Sequence, residues 1–177
     1  PRMVYVNKMD IMGANFYNVV NMMKERLKCN AVPLQIPMGS EDTFVGMVDL
    51  LKMKAIVYDK DVTKGYEEVE IPAEFQDKAV CSTDEELMMM YLEGEEIAID
   101  DLKKAIRKAT IANEMVPVLC GTSYKNKGVQ PLLDCVNDYL PSPVDVPAVK
   151  GTNPNTGEEV IRKPQETIHI DLHIRMD

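Results

Sequence analysis

The feature that most constrains this chain is a pair of apolar runs, each ending in a short polar turn and followed by a helical pattern. Met3-Val4-Tyr5-Val6 runs into Asn7-Lys8-Met9-Asp10, and Val116-Pro117-Val118-Leu119-Cys120 runs into Gly121-Thr122-Ser123. Purely apolar runs of this length read as strands buried on both faces, which occur in sheets covered by helices. After the first turn, Phe16, Val19, Val20, Met23 and Leu27 recur at helical spacing behind Asn15, a residue suited to an N-cap. After the second, a helix is expected over Val129–Leu140, with Pro131 tolerated in its first turn and Pro141-Ser142-Pro143 ending it. Two such strand–helix pairs predict neighbouring strands of one α/β sheet, with both turns at its ligand-binding end.

Between the pairs the pattern changes. Val32–Pro37, Thr43–Leu51, Met53–Tyr58 and Val69–Ile71 read as strands, with a tight hairpin at Leu51-Lys52 that lacks Asn-Gly chemistry. Helices are expected over Pro72–Val80, Asp84–Leu92 and from Ile99 or Asp100 to about Asn113. Asp100 is the expected cap of the last, with Leu102, Ile106 and Ile111 facing inward. Four segments follow: 1–32 and 113–147 as two parts of one α/β domain, 33–112 as an inserted α+β unit, and 148–177 as a linker with a further strand. Residues 144–166 read as linker, with Asn153-Pro154-Asn155-Thr156-Gly157 as a turn-rich tip, and Thr167–Met176 alternates as a strand. Because Pro1 leads straight into a buried strand, residues upstream of it are expected.

The formal charge of −9 argues against direct nucleic-acid binding by this chain, since phosphate recognition needs a basic face. No apolar run approaches the roughly 20 residues needed to cross a bilayer, so no membrane role is expected. Cys29, Cys81, Cys120 and Cys135 form no C-x-x-C pair and read as reduced thiols of a cytoplasmic protein. His169, Asp171 and His173 share one face of the last alternating run. A metal site is conceivable there, but a plain polar face is the expectation. Lys125-Asn126-Lys127 reads equally as a phosphate contact or a solvated loop.

The chemistry lies in Asn7-Lys8-Met9-Asp10, an N-K-x-D sequence. Guanine presents two adjacent donors, its N1 hydrogen and its exocyclic amine. One carboxylate accepts both, and adenine cannot offer that pair. Asp10 is therefore the candidate base reader, Asn7 the loop anchor, and Lys8 a stem to cover the base. Thr122, Ser123 and Tyr124 form a second turn able to aim a backbone N–H at the guanine carbonyl. Taken singly, either turn is also what an ordinary strand-to-helix connection looks like.

The sequence resembles bacterial elongation factor G, a translational GTPase. The likeness is carried by Val6–Asp10, Met12–Phe16, Gly46–Leu50, Tyr91–Glu96, Gly121–Gln130 and Asp138–Val146. The resemblance implies the C-terminal part of a Ras-like P-loop GTPase domain with an inserted α+β subdomain, followed by the first strand of a β-barrel domain. It implies GTP/GDP as cofactor, with guanine held by Asn7, Lys8, Met9, Asp10, Thr122, Ser123 and Tyr124. It further implies GTP-driven movement of transfer and messenger RNA on the ribosome, and a large-subunit stalk protein as partner of the inserted unit. A release factor, a ribosomal-protection GTPase and a non-catalytic docking module remain the alternatives. Three departures stand out. The 177 residues contain no G-x-x-x-x-G-K-[ST] loop and none of the family's switch segments, so Mg2+ and hydrolysis are expected only of a longer protein and no catalytic residue is assigned. Ile11 stands where the family carries Arg, and the first helix of the insert is short near Lys78–Thr83.

Overall fold

The computed structural model describes residues 1–59, 65–76, 99–142, 145, 148–152 and 157–162. These fall into two compact units, Pro1–Leu140 and Pro141–Asp177.

The first unit begins with β1 (Val4–Val6) and α1 (Phe16–Leu27). The Asn15 side chain accepts a hydrogen bond from Asn18 N at 2.9 Å, which supplies the expected cap. Phe16, Val20 and Met23 are buried, whereas Leu27 is 67% exposed, contrary to its expected inward place. It lies in the last turn, just before Lys28 turns left-handed and ends the helix.

The single strand expected over Val32–Pro37 is two strands in two sheets. The first, β2 (Ala31–Pro33), joins the parallel sheet. The second, β3 (Gln35–Met38), opens an antiparallel sheet. Leu34 is the crossover: its N–H donates to Val118 O at 2.9 Å, and its carbonyl accepts from Leu50 N at 3.1 Å. Sequence periodicity misses this change of partner because Val32, Leu34 and Ile36 are all apolar and buried across the break.

A short 3-10 turn (Glu41–Thr43) precedes β4 (Gly46–Asp49), so the expected strand starts later than Thr43. Next come β5 (Lys54–Tyr58) and β6 (Tyr66–Val69), the latter earlier than the expected Val69–Ile71. The order is β3-β4-β5-β6, all antiparallel. Pro37 is tolerated because β3 is an edge strand. Asp49 explains the hairpin without Asn-Gly: its Oδ1 accepts from Leu51 N at 2.9 Å and Lys52 N at 3.0 Å, and Met53 takes a left-handed φ of 49°.

Residues 73–76 are helical, while the rest of the helix expected from Pro72 and all of Asp84–Leu92 lie outside the described residues. Helix α2 (Ile99–Ile111) holds Asp100 and Asp101 inside its first turn, so Asp100 is a dipole-facing acid rather than the cap. Strand β7 (Val116–Cys120) and helix α3 (Val129–Tyr139) complete the unit. The parallel sheet has the order β1-β7-β2, with Val4 opposite Val118 and Val6 opposite Cys120.

One core cluster runs through both sheets and α1, including Phe16, Met23, Met38, Met47, Ile56 and Val118. A second joins Leu34, Ile106, Leu119 and Tyr139 beneath α2 and α3. The inserted sheet thus shares its apolar core with the domain that carries the two turns.

In the second unit, β8 (Val149–Thr152) pairs antiparallel with β9 (Glu159–Arg162). The expected linker is therefore a hairpin on either side of the turn-rich tip, with Gly157 at φ 73°. The alternating run Thr167–Met176, including His169, Asp171 and His173, lies outside the described residues.

Candidate functional site

Side-by-side pairing of β1 and β7 brings their C-terminal turns together, and three sets of hydrogen bonds lock them. Backbone bonds come first: Gly121 N donates to Val6 O, and Met9 N to Gly121 O, each at 3.1 Å. Next, Asn7 Oδ1 accepts from Lys8 N at 2.8 Å, from Ser123 N at 3.0 Å and from Ser123 Oγ at 3.1 Å. Lastly, Thr122 Oγ1 donates to Asp10 Oδ1 at 2.6 Å.

Asp10 is the electrostatic centre of this arrangement. Its second oxygen, Oδ2, lies 2.8 Å from Lys125 Nζ, and its side chain keeps only 11% of its surface exposed. The Lys125 ammonium, then the Thr122 hydroxyl, hold the carboxyl below the usual carboxylate range, outweighing the opposing effect of burial. Asp10 therefore stays ionised and acceptor-only, as a reader of paired donors must.

Thr122 is fixed in turn. It is buried and bonded to Lys127 in both directions, N to O at 2.9 Å and O from N at 3.1 Å. The Tyr5 hydroxyl donates to Lys127 O at 3.0 Å. A Cβ at Gly121 would collide with that hydroxyl and that carbonyl, so the turn closes only around glycine. Lys127 reaches back to Phe44 O at 3.3 Å, and burial pushes its ammonium pKa down. Of the Lys125-Asn126-Lys127 run, both lysines are therefore engaged within the fold.

The remaining predicted residues divide. Lys8 is exposed and left-handed at φ 61°, and Tyr124 is 99% exposed. Met9 departs from the expectation: its side chain is buried in the core at 1% exposure, so only its backbone belongs to the turn. That backbone carbonyl accepts from Glu41 N at 2.8 Å. Glu41 carries no sequence motif, and the pairing of Lys125 with Asp10 is not legible in the sequence, because both contacts depend on long-range topology.

A cavity of about 300 Å³ lies against the first turn, lined in part by Asn7, Lys8, Met12, Asn15 and Asn18. Another, of about 340 Å³, lies between the inserted sheet and helices α2 and α3, away from both turns. There Lys103 pairs with Asp138, and Lys52 with Glu68, each at 2.7 Å. Among the described residues no group of His, Cys, Asp or Glu is arranged to hold a metal, and no helix is long and apolar enough to cross a membrane.

This geometry agrees with the comparison to known proteins. The family described as "Elongation factor Tu GTP binding domain" matches residues 1–142. The chain belongs to that family. It is also similar to a protein from Thermus thermophilus whose crystal structure is known, at 28% identity and a TM-score of 0.64. That likeness covers 91% of this chain and 26% of the other, so the chain spans 26% of that relative's length. Residues 1–142 are therefore this chain's share of a GTP-binding domain.

Proposed function

We propose that this chain is the guanine-reading portion of a ribosomal translocation GTPase of the elongation factor G type, which binds GTP and GDP and drives movement of transfer and messenger RNA. The observation that carries the reading is the Asp10 carboxylate, held ionised and fixed from residue 122 by a 2.6 Å hydrogen bond. The residues fit a guanine base. Thr122 occupies one oxygen of Asp10 from the buried side. Lys125, itself half-exposed, pairs with the other at 2.8 Å. A base offering two donors replaces the ammonium on that carboxylate, and in this reading the Lys8 stem covers its face. Asn7 acts through Ser123, keeping the second turn at a fixed distance from the first.

Guanine nucleotide supplies the hydrolysable phosphates. The residues here supply base identity and orientation, and hydrolysis with Mg2+ belongs to a longer protein carrying a phosphate loop. The inserted unit is assigned to a large-ribosomal-subunit stalk protein, and the setting to the cytoplasm. Both rest on the likeness to elongation factor G. Release factors and ribosomal-protection GTPases are the nearest rivals, and a docking module without chemistry is the other reading.

Titration of the purified chain with fluorescent GDP and fluorescent ADP tests the proposal. Weak binding that favours GDP, and is lost in Asp10→Asn, is expected. Equal binding of both nucleotides contradicts it, and nucleotide-independent capture of stalk protein with no guanine preference supports the docking module.

A further inference from the structure

The turn containing Asn7–Asp10 is gripped from two sides. One grip comes from Gly121, Thr122 and Ser123. The other comes from Glu41, in the inserted segment between β3 and β4, which holds the turn at two points. Its backbone N–H donates to Met9 O at 2.8 Å, and its carboxylate Oε1 accepts from Gly13 N at 2.7 Å. Met9 and Gly13 flank Asp10, and between them Ile11 N bonds Lys8 O and Ala14 N bonds Ile11 O, each at 3.1 Å. One residue of the insert therefore spans the segment that bears the base-reading carboxylate.

Glu41 adopts this position in an unfavourable backbone conformation. Its φ is 56°, left-handed for a residue with a side chain. The segment around it is built to hold that conformation. Gly39 is also left-handed, at φ 81°, and a Cβ there would strike the Thr43 carbonyl. Thr43 Oγ1 donates to Ser40 O at 2.6 Å and accepts from Ser40 N at 3.1 Å. Phe44 N donates to Glu41 O at 3.3 Å, and the Phe44 side chain is buried. A glycine at 41 would relieve the backbone but remove the carboxylate that takes Gly13 N–H.

We propose that Glu41 is a positioning residue for base recognition: through Met9 and Gly13 it fixes the Asp10 turn from the inserted unit. This rests on the guanine reading of the site. Its consequence is reciprocal coupling: whatever displaces the 39–44 segment weakens base binding, and base binding holds that segment in place.

The test measures amide exchange at Gly13, and GDP dissociation, in the purified chain and in Glu41→Ala, Glu41→Gln and Glu41→Gly. Glu41→Ala is expected to speed Gly13 exchange at least about fivefold, the worth of one lost hydrogen bond. GDP should dissociate faster by a similar factor. Amides of β4 and β5 should keep their protection, and Glu41→Gln, which keeps the acceptor oxygen, should recover most of both effects. Glu41→Gly should leave Gly13 unprotected even where it stabilises the fold. Unchanged Gly13 exchange in Glu41→Ala, or no rescue by Gln, overturns the proposal. So does unchanged GDP dissociation in a chain that still prefers guanine. A wild-type chain with no guanine preference instead refutes the guanine reading, while Gly13 exchange still reports the clamp. If Glu41→Ala unfolds, the Gln and Gly variants decide: equal Gly13 protection in the two contradicts the proposal.

Discussion

The hydroxyl of Thr122 donates to the carboxylate of Asp10 at 2.6 Å, although 112 positions separate them in the chain. The inserted sheet lies between them in sequence, and the β1–β7 pairing closes that distance. Replacing Thr122 by Val keeps the shape and removes the donor. We expect Thr122→Val to raise the Asp10 pKa, to lower stability by about 1–2 kcal/mol and to weaken guanine binding. Carboxyl titration by NMR and urea unfolding measure the first two. An unmoved Asp10 pKa would separate the hydroxyl from the site.

Lys125 is the largest influence on the Asp10 carboxyl, so its removal should matter more than its exposure implies. In Lys125→Ala the Asp10 pKa should rise toward the ordinary carboxylate value. The sign for stability follows. A carboxyl whose folded pKa is depressed adds stability above its unfolded pKa, about 3.9, and that stability fades as pH falls through the folded value. The wild type should therefore lose more stability than Lys125→Ala between about pH 5 and pH 2. Parallel pH–stability curves for the two proteins would refute the pairing.

Asn7 concentrates three donors on one oxygen. Asn7→Ala leaves the Ser123 N–H and hydroxyl without that acceptor and frees the second turn. A loss of about 1–3 kcal/mol in urea unfolding is expected, with increased amide exchange at Ser123. Stability within about 0.5 kcal/mol of wild type would show that the turns are held by their backbone bonds alone.

Gly121→Ala pits a methyl group against the Tyr5 hydroxyl and the Lys127 carbonyl. The collision should destabilise the chain by about 1–3 kcal/mol. Adding Tyr5→Phe removes one of the two obstacles and should recover part of the loss, a coupling that a double-mutant cycle reads directly. Strict additivity would place the strain elsewhere.

Features set by neighbours in sequence were legible before the structure. The Asn15 cap, the β1 and β7 runs and the Pro131-tolerant helix each have a local physical cause, and each is found. Adjacency of β1 and β7 was legible because two buried runs with helical followers have few other places in a parallel sheet. What escaped depends on partners far away. Nothing local distinguishes Leu34 as the point where one apolar run changes sheets. The Asp49 side chain makes a hairpin that dipeptide rules miss. Met9 reads as part of a binding motif, yet the burial of its side chain is decided by the core beneath the turn. Glu41 carries no motif, and its left-handed backbone is visible only in three dimensions.

The most direct measurement is a base swap at Asp10. Xanthine carries a carbonyl where guanine carries its amine, so an amide side chain can donate to it where a carboxylate cannot. Asp10→Asn should bind xanthosine diphosphate more tightly than GDP, while the wild type keeps the opposite order. If both proteins rank the two nucleotides alike, residue 10 does not read the base.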